Sequence, residues 1–343
     1  MLEDARDRVA AALRCTAREV VFTSGATEAN NLALFGTARA LRRMHGALPR
    51  LIASAAEHPA VLAPLRLLQN EGFPLRLVPV DACARADTAA MEEEARGAAA
   101  ALVALQWANN ETGAVQDVAR AGALAGTGAH VHMDAVQGFG KLPWSDALES
   151  AGTFTVSGHK IGAPKGIGAL RVADGVALDP ILVGGGQQRG RRAGTEPPAL
   201  ASAFACALEL ALAEQPAFAA RARAHCELFL AAVRASGLRF SANQPAEEGS
   251  RLPNTLSLTL HGVDGRALLP ACDAEGLDLA SGAACSSGAA LPSAVLLACG
   301  LPESLARATV RVSLGPSLAA AAVREAAERF VRAARRLYEV ADR

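Results

Sequence analysis

The stretch TFTVSGHKIGAPKGIGALRV, residues 153–172, reads as a strand, a sharp turn, a glycine-rich loop and a second strand. The first strand ends at Ser157, and Gly158, His159 and Lys160 follow at once. A lysine at a strand end within a crevice can lose its hydration and become an amine nucleophile that forms a Schiff base. Ser157 and His159 are placed to donate hydrogen bonds to a phosphate beside it. This stretch therefore predicts a reactive lysine at the edge of a sheet.

Short β-rich runs alternate with helical stretches on either side of this stretch. Continuous apolar strands separated by helices are typical of a mostly parallel sheet covered on both faces. Ligands of such sheets bind beyond the carboxyl ends of the strands, so the residues just after each strand carry the functional information. The predicted strands are 19–24, 50–56, 75–80, 100–106, 130–135, 153–157 and 167–172.

The character of the sequence changes near Gln215 and Pro216. A helix rich in Ala and Arg is predicted over 217–236, an alternating strand over 255–260, and an amphipathic helix closes the chain at 319–340. These patterns predict a large domain, residues 1–214, followed by a smaller α+β domain, residues 215–343.

The composition of the 343 residues excludes several classes of protein. Lys+Arg and Asp+Glu are equal at 34 each, so no global field favours binding of nucleic acid or of an anionic membrane by charge. The acidic N-terminus fits neither a signal peptide nor a transit peptide, and no apolar run is expected to reach the roughly 20 residues of a membrane span. The seven cysteines are scattered without a CxxC pair, which predicts free thiols in a reducing cytoplasm and no metal site.

Two further strand ends carry polar residues. VVFTSGATEANN runs a strand into Ser24 and Gly25 and opens a helix at Ala26 and Thr27, where free N–H groups and a hydroxyl could hold a phosphate. An ordinary helix cap after a glycine turn explains that motif, taken alone, more readily.

HVHMDAVQGFGK places Asp134 at a strand end and Gln137 three residues later. The carboxylate could pair with a protonated ring nitrogen and the amide with a phenolic oxygen, although Asp134 could equally cap the next turn. His130 and His132 lie on one strand face, where we expect them to be packed or partly solvated.

Only three lysines occur in the chain, so few candidates exist for a Schiff base. Lys165 and Lys141 are expected to be solvated loop charges, which leaves Lys160. Phosphate donors, an acid for a ring nitrogen and a Schiff-base lysine are together what pyridoxal 5'-phosphate requires of a protein. They occur here in that order, each after a predicted strand.

The stretch SGAACSSGAALPS, residues 281–293, places Cys285 among small residues that cannot bury a thiol. From the residues alone, Cys285 is either a small side chain in a turn or a nucleophile on a mobile arm. The six other cysteines lie mostly in apolar helical or mixed settings and are expected to be packing residues.

From about residue 5 to about residue 320, the chain resembles the cysteine desulfurase family (NifS/IscS type). That family lies within the class V aminotransferase group of fold type I pyridoxal-phosphate enzymes, which are aspartate aminotransferase-like in fold. The motifs that carry the resemblance occur in order and are FTSGATEANN, EHPAV, NNETGAVQD, DAVQGFGK, SGHKIGAPKGIGAL, GGGQQRGRRAGT, SGAACSSGAALPS and RVSLG.

The resemblance implies a role for each matching residue. Lys160 would form the Schiff base, Asp134 would pair with the pyridinium nitrogen, and Gln137 would contact the phenolic oxygen. His58 would stack on the ring and assist proton transfers. The implied phosphate partners are Ala26, Thr27, Ser157 and His159, with Thr195 supplied by the partner subunit of a homodimer.

Substrate binding and sulfur transfer follow from the same resemblance. Asn109, or its neighbour Asn110, and Arg311 would hold the α-carboxylate of L-cysteine, although Arg311 could by itself be a salt-bridged strand residue. Cys285 would attack the substrate sulfur and become a persulfide, with alanine as the other product. The length of the Cys285 loop resembles the branch of this sulfurtransferase family that serves iron–sulfur cluster assembly or tRNA thiolation, with a sulfur-acceptor or scaffold protein as partner.

The sequence departs from the family pattern at its start. Nothing matches the YLDNAATTP-like strand with which the family normally begins, and we expect several dozen residues of that segment to be missing. A selenocysteine lyase, another class V aminotransferase-fold enzyme and a truncated non-catalytic partner-binding subunit are the alternatives. Cys285 argues against an aminotransferase, which has no use for a cysteine on such a loop.

Overall fold

The computed structural model describes residues 1–247, 249–281 and 291–341, with side chains described up to residue 339. These residues form two compact units. The large unit consists of Met1–Pro79, Ala86–Ala108 and Gln116–Gln215. The small unit consists of Val80–Arg85, Asn109–Val115 and the chain from Pro216 onward. Two short segments that lie among the strands of the large unit in sequence thus belong to the small unit.

A seven-stranded sheet forms the centre of the large unit, in the order β1-β7-β6-β5-β4-β2-β3. Strands β3, β2, β4, β5 and β6 pair in parallel, whereas β7 pairs antiparallel with both β6 and β1. The bounds are β1 Val20–Thr23, β2 Arg50–Ser54, β3 Leu75–Val78, β4 Ala101–Gln106, β5 His130–Asp134, β6 Thr153–Ser157 and β7 Gly168–Val172.

Helices flank this sheet, with bounds α1 Leu2–Ala12, α2 Ala26–His45, α3 Pro59–Asn70, α4 Thr88–Arg96, α5 Arg120–Gly126 and the first part of α6 Pro198–Ala235. Pro59 opens α3 at a position where its missing N–H costs nothing. Gly46 ends α2 in the left-handed conformation, φ 65°, which favours glycine. Apolar residues of the helices and strands form the core, among them Leu34, Leu51, Leu65, Phe73 and Leu102. The predicted fold class, a mostly parallel sheet between helices, is confirmed.

The small unit has a four-stranded antiparallel sheet in the order β10-β11-β9-β8. Its strands are β8 Phe240–Ala242, β9 Thr255–Leu260, β10 Ala280–Ser281 and β11 Thr309–Ser313. Its helices are α7 Gly265–Ala274, α8 Ala294–Ala298, α9 Glu303–Arg307 and α10 Ala320–Ala341, together with the last part of α6. Phe229 of α6 and Phe330 of α10 meet in its core, with ring centroids 5.6 Å apart.

Helix α6 differs from its prediction in two respects. It begins at Pro198, before the predicted 217–236, because Pro216 lies inside the helix rather than at a break and its alanine-rich flanks favour helix. Against expectation, α6 is also long and apolar enough to cross a membrane by length and composition alone. The core helix of a soluble protein passes the same test, and 39% of the apolar window is buried within the protein. One such helix is weak support for a membrane span.

Candidate active site

The predicted reactive residues of the large unit meet at one edge of its sheet. Asp134 ends β5 and Ser157 ends β6, and these neighbouring strands run in parallel, so both residues lie at the carboxyl edge. Lys160 closes a tight turn, Gly158–Lys160, directly after β6. The turn is closed by hydrogen bonds from the Ile161 and Ala163 N–H groups to the Gly158 carbonyl, each 3.0 Å. The backbone thus places Lys160 beside the strand that ends in Asp134.

Asp134 is buried, with 7% of its surface exposed. The amide of Asn30 donates to its Oδ2 at 2.8 Å, and the Val136 N–H donates to its Oδ1 at 3.0 Å. Burial raises the pKa of Asp134, while these two hydrogen bonds and the charges of His58 and Lys160 act in the opposite direction. An added positive charge next to Asp134 would favour its ionised form.

His58 caps the first turn of α3. Its Nδ1 accepts a hydrogen bond of 3.0 Å from the Ala60 N–H, so a neutral His58 carries its proton on Nε2. Burial lowers the pKa of His58, Asp134 raises it and Lys160 lowers it. His58, Asp134 and Lys160 therefore lie within electrostatic reach of one another, and His58 presents an N–H rather than a charge.

Gly168 of β7 brings the two phosphate motifs together. It pairs with Thr23, the last residue of β1, on one side and with Ser157 on the other. A Cβ on Gly168 would lie 2.9 Å from the Gly25 Cα and 2.8 Å from the Val156 carbonyl oxygen. The glycine thus permits a close approach of the Ser24–Gly25 turn to the end of β6.

The phosphate candidates lie on those two motifs. Ala26 is the first residue of α2, and Thr27 is exposed in its first turn, where helical N–H groups have no intrahelical acceptor. Ser157 is buried and lies 3.0 Å, Oγ to Nδ1, from the exposed His159. Burial lowers the pKa of His159, and Lys160 and Lys165 lower it further. A neutral His159 can donate one hydrogen bond and accept another.

Gln137 is half-buried, and its Oε1 accepts a hydrogen bond of 2.7 Å from the Lys141 Nζ. Lys141 is therefore not simply a solvated loop charge, contrary to expectation. The interaction holds the Gln137 carboxamide with its oxygen toward Lys141. Its contact with a phenolic oxygen stays a prediction.

The segment that carries Thr195 lies against the start of α2. Arg192 forms a two-pronged ion pair with Glu28, at 2.6 and 3.1 Å, and Glu28 also accepts from the Ser24 N–H at 2.7 Å. The Gln188 Oε1 accepts from the Phe22 N–H at 2.8 Å. Thr195 itself is exposed. The contribution of Thr195 to the phosphate site of a partner subunit stays a prediction.

In the small unit, Asn109 and Asn110 have different surroundings. Asn109 is fully buried, and its Oδ1 accepts hydrogen bonds from the N–H groups of Glu111 and Thr112 at 2.8 and 2.9 Å. Asn110 offers its carbonyl oxygen to the Arg311 Nη1 at 2.8 Å. The Asn110 Oδ1 and the Arg311 Nε are both buried without a hydrogen-bond partner in the described residues. Asn110 and Arg311 thus hold unused hydrogen-bonding capacity, whereas the Asn109 Oδ1 stabilises its own turn.

Sequence reasoning missed two buried acids. Glu57, next to His58, accepts a hydrogen bond of 3.0 Å from the Gln106 N–H, and burial together with the Asp134 charge raises its pKa well above the usual range. Glu111 accepts the hydroxyl hydrogen of Ser293, and burial raises its pKa to about 7 against the opposing effects of Ser293 and Arg311. The only signals in the sequence were their places in the motifs EHPAV and NNETG.

Cys285 lies outside the described residues. The six cysteines within them, Cys15, Cys83, Cys206, Cys226, Cys272 and Cys299, are free thiols. Cys206 is exposed, so it is not the packing residue that was expected. Among the described side chains, no group of three or more His, Cys, Asp or Glu could hold a metal ion.

Comparisons with known proteins identify the relatives of this chain. The sequence model of the family Aminotransferase class-V matches residues 1–325. Cysteine desulfurase IscS 1 of Archaeoglobus fulgidus is 34% identical over 315 residues, which cover 92% of this chain and 81% of that protein.

Two solved structures extend the likeness to the fold. A NifS-like protein superposes with a TM-score of 0.84 at 28% identity, covering 99% of this chain and 87% of its own. A structure of SspA in complex with cysteine gives a TM-score of 0.75 at 31% identity, with coverage of 92% and 86%.

The match over residues 1–325 places this chain in the family Aminotransferase class-V, whose members depend on pyridoxal phosphate in general. Within that group, the chain belongs to the cysteine desulfurase family. The resemblance drawn from the sequence motifs and the expectation of a cysteine desulfurase enzyme are confirmed.

Proposed function

We propose that this chain binds pyridoxal 5'-phosphate and uses it to remove sulfur from L-cysteine, giving L-alanine and a persulfide on Cys285. The observation that carries the proposal is the meeting of Asp134, His58 and Lys160, whose charges act on one another at the carboxyl edge of the large sheet. Membership of the cysteine desulfurase family and the likeness to a protein solved with cysteine support it.

The side chains at this edge fit the cofactor in their chemistry. A buried acid, Asp134, already accepts two hydrogen bonds that favour its ionised form, as a partner of a pyridinium nitrogen must. The exposed hydroxyl of Thr27 and the free N–H groups of the first turn of α2 suit a phosphate. Lys160 is an exposed amine on the short turn that follows β6 at the same edge of the sheet. Bound here, the cofactor would supply an electron-accepting ring that activates the bond between carbon and sulfur.

The chain's own residues would then divide the work. Asp134 would offer a negative charge to the ring nitrogen, and Lys160 would hold the cofactor and accept or return a proton at its Nζ. His58, with its proton on Nε2, has a hydrogen to donate near the reacting atoms. Arg311 and one of Asn109 and Asn110 would hold the substrate carboxylate. The buried, unpartnered Nε–H of Arg311 is a donor that suits a carboxylate, whereas the unpartnered Asn110 Oδ1 only accepts and leaves the choice between the two asparagines open.

The transfer step balances without an added oxidant or reductant. The Cys285 thiolate attacks the substrate sulfur, a sulfur–sulfur bond forms, and the carbon–sulfur bond breaks with its electron pair left on carbon. That carbon takes up one proton, which completes a methyl group, and the product leaves as alanine. Cys285 is assigned this role by its place in the motif SGAACSSGAALPS.

We further propose a cytoplasmic homodimer in which Thr195 contributes to the partner's phosphate site, and a sulfur-acceptor protein that collects the persulfide. Arg192 lies three residues before Thr195 in the chain. Its ion pair with Glu28 on α2 supports a fixed position of this segment.

The test is an assay of the purified full chain for the visible absorption of bound cofactor and for sulfide and alanine from L-cysteine. Lys160→Ala is expected to abolish covalent cofactor binding, and Lys165→Ala, its matched control, to retain it. Cys285→Ala is expected to keep the absorption band and lose sulfide release. A wild-type chain that binds no cofactor would overturn the proposal, whereas a preference for selenocysteine would redirect it to a lyase.

A further inference from the structure

Four polar side chains continue the hydrogen bonding of Asp134 into the large unit. The Asn30 Nδ2 donates to the Asp134 Oδ2 at 2.8 Å, and the His132 Nε2 lies 3.1 Å from the Asn30 Oδ1. The His132 Nδ1 lies 3.0 Å from the Thr153 Oγ1, which in turn lies 3.0 Å from the His130 Nε2. These five residues form one unbranched chain of hydrogen bonds.

Most members of this hydrogen-bonded chain are shielded from bulk water. Asn30, His132 and Thr153 are fully buried, and His130 is half-buried. Burial lowers the pKa of His132 to about 3 and that of His130 to about 4, and His130 lowers the pKa of His132 further. Both imidazoles are therefore neutral near pH 7, and each has one N–H donor and one acceptor nitrogen.

Neutral imidazoles fix the direction of every hydrogen bond once Asp134 is ionised. A carboxylate only accepts, so Asn30 donates to it and turns its Oδ1 toward His132. His132 must then carry its proton on Nε2 and accept from the Thr153 hydroxyl at Nδ1. The Thr153 oxygen is left to accept from the Nε2–H of His130.

The sheet register explains how these hydrogen-bonded side chains come together. His132 and Thr153 are directly paired between the parallel strands β5 and β6. Alternate residues of a strand share a face, so His130, His132 and Asp134 lie on the same face of β5. Asn30, on α2, reaches both Asp134 and His132 from that face.

We propose that Asn30, His132, Thr153 and His130 are positioning residues, a relay that holds Asp134 as an ionised acceptor aimed at the cofactor ring nitrogen. The inference rests on the proposed function, because the ring nitrogen is the group that Asp134 serves. Reversing a single bond of the relay would set two lone pairs or two hydrogens against each other. Reversing every bond would turn the Asn30 oxygen toward the carboxylate and require a proton on Asp134. Either change would weaken the pairing with a protonated ring nitrogen.

The geometry of the relay is tested without activity by ¹⁵N NMR of the full chain labelled at histidine, with and without pyridoxal phosphate. Wild-type His130 and His132 are expected to show the neutral Nε2–H form near pH 7. Thr153→Val should shift the His132 Nδ1 resonance toward that of a nitrogen without a hydrogen bond.

Thr155→Val is the matched control for this measurement. Thr155 is fully buried on the same strand, and its hydroxyl has no hydrogen-bond partner in the part of the chain that is described. Its loss is expected to leave the His132 resonances in place. A proton on the His132 Nδ1 in the wild type, or equal shifts in both threonine variants, would overturn the relay.

The consequence for the cofactor is tested by its dissociation constant. Thr153→Val is expected to weaken binding about five- to tenfold, the effect of one buried hydrogen bond. The control is Thr37→Val, which removes a buried, unpartnered hydroxyl elsewhere on α2 and should leave the constant unchanged. Equal binding by wild type and Thr153→Val would refute the positioning role and leave the proposed function intact. A wild type that binds no cofactor would instead refute the proposed function, while the NMR result would still decide the relay's geometry.

Discussion

Arg311 donates a hydrogen bond of 2.8 Å from Nη1 to the carbonyl oxygen of Asn110, which fixes the plane of its guanidinium. The Nε of the same group is buried and has no hydrogen-bond partner within the described residues. The guanidinium of Arg311 is thus held in one orientation, and its Nε–H is still available as a hydrogen-bond donor. This arrangement suits the binding of a planar carboxylate.

Arg311→Lys is therefore expected to raise the KM for L-cysteine by about tenfold or more, because an ammonium cannot form the two parallel hydrogen bonds of a guanidinium. The turnover number should change much less. Steady-state kinetics on the two variants Arg311→Lys and Arg307→Lys provide the comparison, since Arg307 forms an ion pair with Glu303 on α9. A KM that is the same in both variants would remove Arg311 from substrate binding.

Glu111 should make the stability of the protein depend on pH. Its pKa in the folded protein is raised to about 7, so the folded protein holds a proton that the unfolded chain, with an ordinary value of 4.5, has released. Stability is therefore expected to fall as pH rises from about 5 to 7 and to level off above, by on the order of 3 kcal/mol at most.

Urea midpoints of wild type and Glu111→Gln, measured across that pH range, test this expectation. The difference between the two proteins should shift in favour of the variant as pH rises. Glu303→Gln, at an exposed position, is the control and should track the wild type. A pH-independent difference between wild type and Glu111→Gln would show that the carboxyl does not titrate in this range.

Gly168→Ala should separate the two phosphate motifs. The new Cβ would press on the Gly25 Cα and on the Val156 carbonyl oxygen, and backbone atoms cannot swing aside. We expect a loss of about 1–3 kcal/mol in the free energy of unfolding and weaker binding of pyridoxal phosphate. Gly126→Ala, in open space on α5, should be neutral or stabilising. Unchanged stability and affinity in Gly168→Ala would contradict the close approach.

The ion pair of Arg192 and Glu28 should protect the segment before Thr195 from proteolysis. Arg192→Met removes the pair at similar side-chain length, so trypsin is expected to cleave faster after Arg189 and Arg191. Mass spectrometry of timed digests measures the rates at these two sites. Arg39→Met, which removes a longer contact of 3.5 Å with Glu71, is the control and should leave them unchanged. Equal rates in the two variants would mean that the pair does not hold the segment.

Much of the large unit could be predicted because its signals are local. Each predicted strand from 19–24 to 167–172 corresponds to an observed strand, since most of these strands are short, largely apolar runs bounded by turn residues. The placement of Lys160 and Asp134 at one edge followed from the same pattern, because parallel neighbours end on the same side.

The remainder depends on pairings that no local pattern contains. Glu111 and Ser293 are 182 residues apart in sequence, and neither is unusual among its neighbours. Asn30 lies within a helix, where a polar side chain more often faces water. The assignment of residues 80–85 and 109–115 to the small unit arises from contacts of turns with distant segments. Such contacts are decided by packing rather than by the sequence nearby.

The relay behind Asp134 has a consequence for the order of folding. Asn30 and His132 are 102 residues apart, and Asn30 and Asp134 are 104. Contacts of that separation must overcome the entropy of closing a long loop, so they form after local turns and helices. The proton arrangement of the relay is thus acquired late, when α2 has docked on β5 and β6. A chain that stalls before this docking would have every site residue but would lack the fixed, oriented acceptor that the cofactor requires.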